Sequence, residues 1–298
     1  MPLNFLKYHQ PGELGKVGQL CIIESLGVLD KKTGRRLRDD LEPHLLMKDV
    51  KLRVNFHSVS NREEFFSALA ALKGRVLATG LYPILDIECH GDLELGLQLS
   101  DESLVSWEEF KASLVEINIA SRFNLILVLG CCYGAYFART GRLSEAAAFN
   151  AYIGPTGDIY AEHLETGLRA FYAELFNSRD FNNAIRAMRE ASPGFGYAFF
   201  TAYGLFREVI AEFVLEQSRG EGLRRRVRSM RRRLRRERGE LRSTQAIRDE
   251  IKQGEPAAIG AMRRAYFAIE KFPENDARFP LTYADVQIDV RRLAGETF

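Results

Sequence analysis

A short apolar run in the middle of the chain, followed at once by two thiols, is the feature that most constrains the fold. Residues 125–129 read Leu-Ile-Leu-Val-Leu with no polar interruption. Such a run is typical of a parallel strand that is buried on both faces. Gly130 ends the run, and Cys131 and Cys132 follow directly. The sequence therefore places two cysteines at the carboxyl end of a central strand, where open α/β sheets bind their ligands.

A second segment repeats this design earlier in the chain. The apolar residues of 82–87 precede His90 and Gly91, and His90 comes 42 residues before Cys132. The intervening residues predict a crossover helix, which would make the two strands parallel, with their carboxyl ends at one edge. An imidazole and a thiol would then lie side by side, the pairing that a cysteine nucleophile needs.

The two motifs together resemble the caspase-like cysteine proteases, a superfamily that includes caspases, separase and the bacterial CHAT proteases. The stretch 127–134, Leu-Val-Leu-Gly-Cys-Cys-Tyr-Gly, is most similar to the CHAT pattern, and the resemblance covers roughly residues 15–200. It implies an α/β fold: a caspase-like, mostly parallel sheet flanked by helices in a three-layer sandwich. It also implies that Cys132 is the nucleophile, that His90 is the general acid and base, and that the backbone N–H groups of Gly91 and Cys132 form an oxyanion hole.

The identity of the reactive thiol stays open in the sequence. The residue before the nucleophile is small in CHAT proteases, and here it is Cys131. Buried structural roles for both thiols are the alternative, since free cysteine is among the most buried residue types.

Two aspartates are candidates for substrate binding. The resemblance implies that an acidic residue in the loop after the next strand lines the pocket for the residue before the cut, and Asp158 occupies that place. A buried carboxylate there would favour arginine or lysine. The alternative for Asp158 is a cap on the helix that begins near Tyr160. Asp92, beside His90 and Gly91, orients the site, lines the pocket or belongs to a turn.

Composition narrows the classes of protein and the compartment. The net charge of the 298-residue chain is +2, and it has no apolar run long enough to span a bilayer. Residues 1–9 lack the apolar core of a signal peptide. None of the four cysteines forms a Cys-x-x-Cys pair. We expect free thiols in the cytoplasm, no membrane association, and no metal or other cofactor.

The chain changes character after the predicted catalytic domain, which we place at residues 1–205. Residues 206–298 form a mainly helical extension, and residues 219–242 are dominated by arginine, with apolar residues at about helical spacing. This helix either presents a solvated face or contacts an activating partner, a second copy of the chain, or nucleic acid. The absence of interleaved aromatic residues argues against single-strand binding.

Local signals predict several further elements. Asn61 begins a helix that Gly74 ends, and Ser106 with Glu109 forms a capping box for the crossover helix. Residues 283–290 alternate in polarity and predict a strand or an extended segment.

Three functions are consistent with these observations. The first is a cysteine endopeptidase that cleaves a protein substrate, with a preference for a basic residue before the cut. The second is a catalytically silent caspase-like interaction module. The third is a nucleic-acid-binding or partner-binding protein that acts through the arginine-rich helix.

Overall fold

The computed structural model describes residues 17–47 and 52–296. These residues form two compact units, of which the first ends at Ala202 and excludes residues 142–146; those five residues and the chain from Tyr203 onward belong to the second. Residues 1–9, on which the signal-peptide prediction was made, lie outside the described part of the chain. None of the described helices is long and apolar enough to cross a membrane.

The first unit is built on a mixed sheet. Its strands are β1 (Val17–Ser25), β2 (Arg53–Ser58), β3 (Tyr82–Asp92), β4 (Gly96–Gln98), β5 (Leu104–Val105), β6 (Ile126–Gly130), β7 (Ala151–Pro155) and β8 (Tyr197–Thr201). Six of them follow the order β2-β1-β3-β6-β7-β8, parallel except for the antiparallel pair β7–β8. β4 and β5 form the hairpin next to β3.

Helices cover both faces of this sheet. They are α1 (Thr33–Met47), α2 (Arg62–Thr79), α3 (Trp107–Ala120), α4 (Ala161–Ser178) and α5 (Phe181–Ala191), with a short 3-10 helix at Gly134–Thr140. α1, α4 and α5 pack on one face against alternate strand residues such as Ile22, Ile84 and Val128. α2, α3 and the 3-10 helix cover the other face through contacting aromatic rings of Phe65, Phe110, Phe137 and Tyr152. The predicted fold class, a mostly parallel sheet between two helical layers, is confirmed.

β6 shows why the apolar run forms a central strand. All five of its residues are buried, and it lies between β3 and β7. A strand with helices on both faces has no wet side, so its apolar residues need not alternate with polar ones.

Two local predictions about α2 and α3 have different outcomes. The capping box of Ser106 and Glu109 is confirmed at the start of α3. The predicted end of α2 at Gly74 is wrong, because the helix continues to Thr79 and ends at Gly80, whose φ is 67°. Val76 lies beyond Gly74 and is 1% exposed. Burial of that side chain outweighs the roughly 1 kcal/mol that an interior glycine costs a helix.

The second unit is helical. It contains α6 (Ala202–Ser218), α7 (Gly220–Arg238), α8 (Thr244–Tyr266), α9 (Glu274–Arg278) and α10 (Tyr283–Leu293). α7 is the arginine-rich helix, and its apolar residues pack against Ile247 and Ile251 of α8. The strand predicted at residues 283–290 is wrong: this segment is helix α10, which begins with a capping box of Thr282 and Asp285.

Candidate active site

The two predicted catalytic side chains lie at the same edge of the sheet. β3 and β6 are parallel neighbours, and Glu88 is paired with Gly130. His90 and Cys132 each come two residues after this pair, at the carboxyl ends of the parallel segments. The observed register of β3 and β6 therefore brings both motifs to one edge of the sheet, where the sequence analysis placed the carboxyl ends of two parallel strands.

At Gly91 the end of β3 lies close against the segment that follows β6. A Cβ atom at Gly91 would lie 2.2 Å from the carbonyl oxygen of Cys132 and 3.2 Å from the Sγ atom of Cys131. No side chain fits into such a gap, so glycine is required at this position by the protein itself. The structure therefore gives a reason for glycine at this position that operates without substrate.

The two adjacent thiols have different surroundings. Cys131 is 2% exposed, whereas Cys132 is only half-buried. A hydrogen bond with Cys89 and burial raise the pKa of Cys131 well above its ordinary value. Burial, the main cause, and the charge of Asp158 also raise the pKa of Cys132. Both thiols are therefore protonated at neutral pH, and Cys132 is the one that solvent reaches.

The Cys132 thiol rests against the loop between β7 and α4. The backbone N–H of Ile159 donates to Sγ at 3.5 Å, and the thiol lies 3.8 Å from the Ile159 carbonyl oxygen. The N–H contact favours the thiolate, but it is outweighed by burial.

His90 has a partner that the sequence analysis missed. Its Nε2 atom lies 3.0 Å from Oδ2 of Asp30, in the loop between β1 and α1. The hydrogen bond with His90 is the main cause that lowers the pKa of Asp30, and a second one from the Gly27 N–H acts in the same direction. Asp30 is therefore a carboxylate at neutral pH. Nothing in the sequence indicated this contact, because the two residues are 60 positions apart.

The loop that carries Asp30 is held by its own hydrogen bonds. The Gly27 N–H donates to Oδ2 of Asp30 at 2.7 Å, and the Asp30 N–H donates to the Gly27 carbonyl at 3.1 Å. Lys32 donates to the carbonyl oxygens of Leu26 and Gly27. The Asp30 carboxylate is thus fixed before any substrate arrives.

The two candidate substrate-binding aspartates are both exposed. Asp158 accepts a hydrogen bond from the Tyr133 hydroxyl at 3.0 Å. It does not cap α4, whose first turn receives no side-chain cap, and it is not the buried carboxylate that the specificity argument assumed. Asp92 accepts hydrogen bonds from the N–H groups of Glu94 and Leu95, both at 2.8 Å. Its carboxylate therefore accepts hydrogen bonds within the turn between β3 and β4, which is the turn role among its predicted alternatives.

Beneath the sheet edge lies a set of buried carboxyl groups. Asp86 and Glu88 of β3 are fully buried, and Glu24 of β1 is 1% exposed. Burial raises the pKa of Asp86 to about 7 and that of Glu88 well above its ordinary value. The floor of the site is therefore far less negative at neutral pH than its three carboxyl groups suggest. Within the described residues, no cluster of three or more histidine, cysteine or acidic side chains is arranged to hold a metal ion.

Specific hydrogen bonds hold the two acids of β3. The Tyr172 hydroxyl donates to Asp86 at 2.6 Å, and the Thr33 hydroxyl donates to Glu88 at 2.7 Å. The Glu88 carboxyl group covers Gly130, where a Cβ atom would lie 2.6 Å from it. Gly130 thus does more than end β6, since it makes room for this acid.

The structure brings His90, Gly91 and Cys132 together but does not join the imidazole to the thiol. His90 is bonded to Asp30, and Cys132 contacts Ile159. No hydrogen bond connects His90 with Cys132 in the part of the chain that the structure describes. The arrangement supplies a half-buried thiol, an oriented imidazole and a carboxylate at one sheet edge.

Comparison with known proteins assigns no family to this chain. No family model matches the chain, and no curated protein matches it. Among solved structures, the chain is similar to the Drosophila initiator caspase Dronc, with a TM-score of 0.46 and 14% sequence identity over 62% of this chain and 79% of that one.

Proposed function

We propose that the protein is a cysteine endopeptidase in which Cys132 attacks a peptide carbonyl and His90 transfers the proton. The observation that carries this proposal is the contact at Gly91, where a Cβ atom would lie 2.2 Å from the Cys132 carbonyl oxygen. This contact brings the residue after His90 against the backbone of Cys132, which carries the half-buried thiol. Only Cys132 of the two adjacent thiols is accessible to a substrate.

The resting state of the thiol determines the order of events. Since burial raises the pKa of Cys132, the thiol needs a base when it attacks. His90 takes the proton as the sulfur forms its bond to the carbonyl carbon, and later gives a proton to the departing amine. Water then hydrolyses the thioester. The backbone N–H groups of Gly91 and Cys132 are the proposed donors to the oxyanion.

Asp30 orients the imidazole in this scheme. When His90 donates from Nε2 to Asp30, its Nδ1 atom is left as the acceptor for the thiol proton. The carboxylate also stabilises the imidazolium that forms during attack. Asp30 is therefore a positioning residue, and its rigid loop keeps the ring in one tautomer.

The surroundings of the site favour an unfolded segment of protein with a basic residue before the cut. Asp158 is close enough to Cys132 for its charge to raise the thiol pKa. An arginine or lysine side chain would neutralise this charge. Val28 and Leu29, directly before Asp30, are 96% and 100% exposed, and they offer apolar contacts to neighbouring substrate residues.

The resting geometry also favours a second candidate, a silent interaction module, because His90 and Cys132 have separate partners. Under the peptidase proposal, an activating partner, self-cleavage or self-association closes this gap. The cytoplasmic location stays a prediction.

A labelling experiment tests the proposal. The full-length protein, over a range of concentrations, is treated with a fluorescent peptidyl acyloxymethyl ketone that carries arginine next to the warhead. Cleavage of peptides ending in arginine, lysine or aspartate is measured in parallel. We expect labelling and cleavage to be lost in Cys132→Ala and retained in Cys131→Ala, the matched control. Equal labelling of both variants would refute Cys132 as the nucleophile, and a wild type that shows neither labelling nor cleavage at any concentration would favour the silent interaction module.

The role of Asp30 has its own test. Asp30→Asn keeps the shape of the side chain but can donate to His90 and so favour the wrong tautomer. We expect kcat to fall at least tenfold with little change in KM, and the unfolding temperature to stay within a few degrees. A change in KM alone would assign Asp30 to substrate binding instead.

A further inference from the structure

The arginine-rich helix α7 concentrates positive charge far beyond the average of the chain. Its 19 residues include ten arginines and two glutamates, a formal charge of +8. Since the whole chain carries +2, all other residues together sum to −6. Every one of the ten arginines is exposed.

The glutamates of the helix neutralise only part of this charge. Glu221 pairs with Arg224 and Arg228, and Glu237 pairs with Arg233 and Arg236. The remaining six form no ion pair within the described residues: Arg225, Arg226, Arg231, Arg232, Arg235 and Arg238. Like charges three or four residues apart destabilise a helix, so these six arginines carry a repulsion that no ion pair among the described residues offsets.

The packing of α7 explains how the helix persists despite this repulsion. Leu223, Val227 and Leu234 are buried and contact α8, and Met230 packs beside them. The apolar seam is therefore occupied. The rest of the helix surface presents arginine, two glutamates and Ser229, and no exposed large apolar side chain.

This surface fits one class of partner. A protein partner would need an apolar core in its interface, and the outer surface of α7 offers none. Insertion into a membrane surface would need the apolar seam, which α8 covers. A regular row of phosphates needs only positive charge, and guanidinium groups bind phosphate oxygens with two parallel hydrogen bonds.

We propose that α7 is a binding surface for double-stranded DNA, recognised through its phosphates and without sequence preference. A helix of 19 residues is about 28 Å long, and B-DNA presents roughly 16 backbone charges over that distance. An α-helix with one packed side fits the major groove, about 12 Å wide. The absence of aromatic residues from α7 argues against single strands, which bind by stacking. This inference does not depend on the peptidase activity.

The test compares two variants of the full-length chain that lose the same charge. One replaces Arg225, Arg231, Arg232 and Arg235 by glutamine. The control replaces four exposed arginines elsewhere, namely Arg53, Arg186, Arg264 and Arg291. Binding to a fluorescent 20-base-pair duplex is followed by anisotropy between 50 and 200 mM NaCl, with a single strand and poly-glutamate as competing ligands.

We expect wild type and control to bind the duplex with a steep salt dependence. The α7 variant should bind at least tenfold more weakly at 50 mM NaCl, with a log–log salt slope that is smaller by about 3 to 4, because each lost phosphate contact removes roughly 0.9. Equal loss in both variants, or tighter binding of poly-glutamate or single strands than of duplex, would overturn the proposal. Because glutamine is a good helix former, the unfolding temperature of the α7 variant should not fall, and a fall would assign the arginines to the fold.

Discussion

The buried carboxyl groups beneath the site make a quantitative prediction for Asp86→Asn. Asp86 is fully buried, and burial raises its pKa to about 7. In the unfolded chain an aspartate titrates near ~3.9. Between these two pKa values, the Asp86 carboxyl group keeps a proton in the folded protein that it has lost in the unfolded chain. The free energy of unfolding therefore falls as the pH rises. The slope is about 1.4 kcal/mol per pH unit and the whole loss is about 4 kcal/mol.

Asparagine keeps the shape of the side chain and removes the titration. We therefore expect Asp86→Asn to gain stability relative to wild type by roughly 3 kcal/mol between pH 5 and pH 7, with the gain levelling off above pH 7. The charge of Asp86 contributes to the raised pKa of Glu88, so the wild-type midpoint reports both acids.

The measurement is equilibrium unfolding in urea at pH 5, 6, 7 and 8, with the difference in unfolding free energy taken at each pH. Tyr172→Phe is the companion variant, because the Tyr172 hydroxyl donates to Asp86 and lowers its pKa. Loss of this donor should extend the pH-dependent range upward. A free-energy difference between Asp86→Asn and wild type that stays constant from pH 5 to pH 7 would refute the reasoning.

Two further predictions concern the edge of the site. Gly91→Ala should lower stability by about 1–3 kcal/mol and abolish cleavage, because its Cβ atom would meet the Cys132 carbonyl oxygen. Urea unfolding and peptide cleavage measure the two effects. An unchanged unfolding curve would contradict the contact. Asp158→Asn should reduce kcat/KM for arginine-ended peptides by about five- to tenfold and leave that for aspartate-ended peptides unchanged or higher. An equal reduction for both peptides would exclude Asp158 from specificity.

The strands of the site could be predicted because each contains a run of mostly apolar residues, which indicates a buried strand. β6 is apolar throughout, and once β3 and β6 are parallel strands of one sheet their carboxyl ends lie at the same edge. The start of α3 could also be predicted from local sequence, since Ser106 and Glu109 satisfy each other's hydrogen bonds within one turn.

The errors arose where a local signal competed with tertiary packing or with a second local signal. Residues 283–290 alternate in polarity, but Val286, Asp289 and Val290 are buried at helical spacing behind the capping box of Thr282 and Asp285. The cap fixes the first turn, and a three-and-four spacing then buries one side of a helix. Gly74 does not end α2. The stability that a glycine inside a helix costs is smaller than the stability that the burial of Val76 contributes.

The contact between Asp30 and His90 could not be predicted from local sequence patterns. It depends on how the loop after β1 folds back over β3, and Asp30 has no periodic or motif signal of its own. Asp158 is the opposite case. Its position in the sequence correctly placed it near Cys132, but the burial that the specificity argument assumed could not be predicted from local sequence, and the side chain is exposed. The sequence thus indicates Cys132 and His90 as the candidate nucleophile and base, whereas the carboxylates near them, Asp158 and Asp30, lie in loops.

These carboxylates connect specificity to reactivity. Burial is the main cause of the raised pKa of Cys132, and the charge of Asp158 adds to it. A basic substrate side chain that pairs with Asp158 would remove this second effect, so the thiol would become easier to deprotonate when the right substrate is bound. An acidic side chain would do the reverse. Within the proposed peptidase, the same exposed aspartate would then select the substrate and keep the free thiol unreactive, while Asp30 holds the base ready on the neighbouring strand.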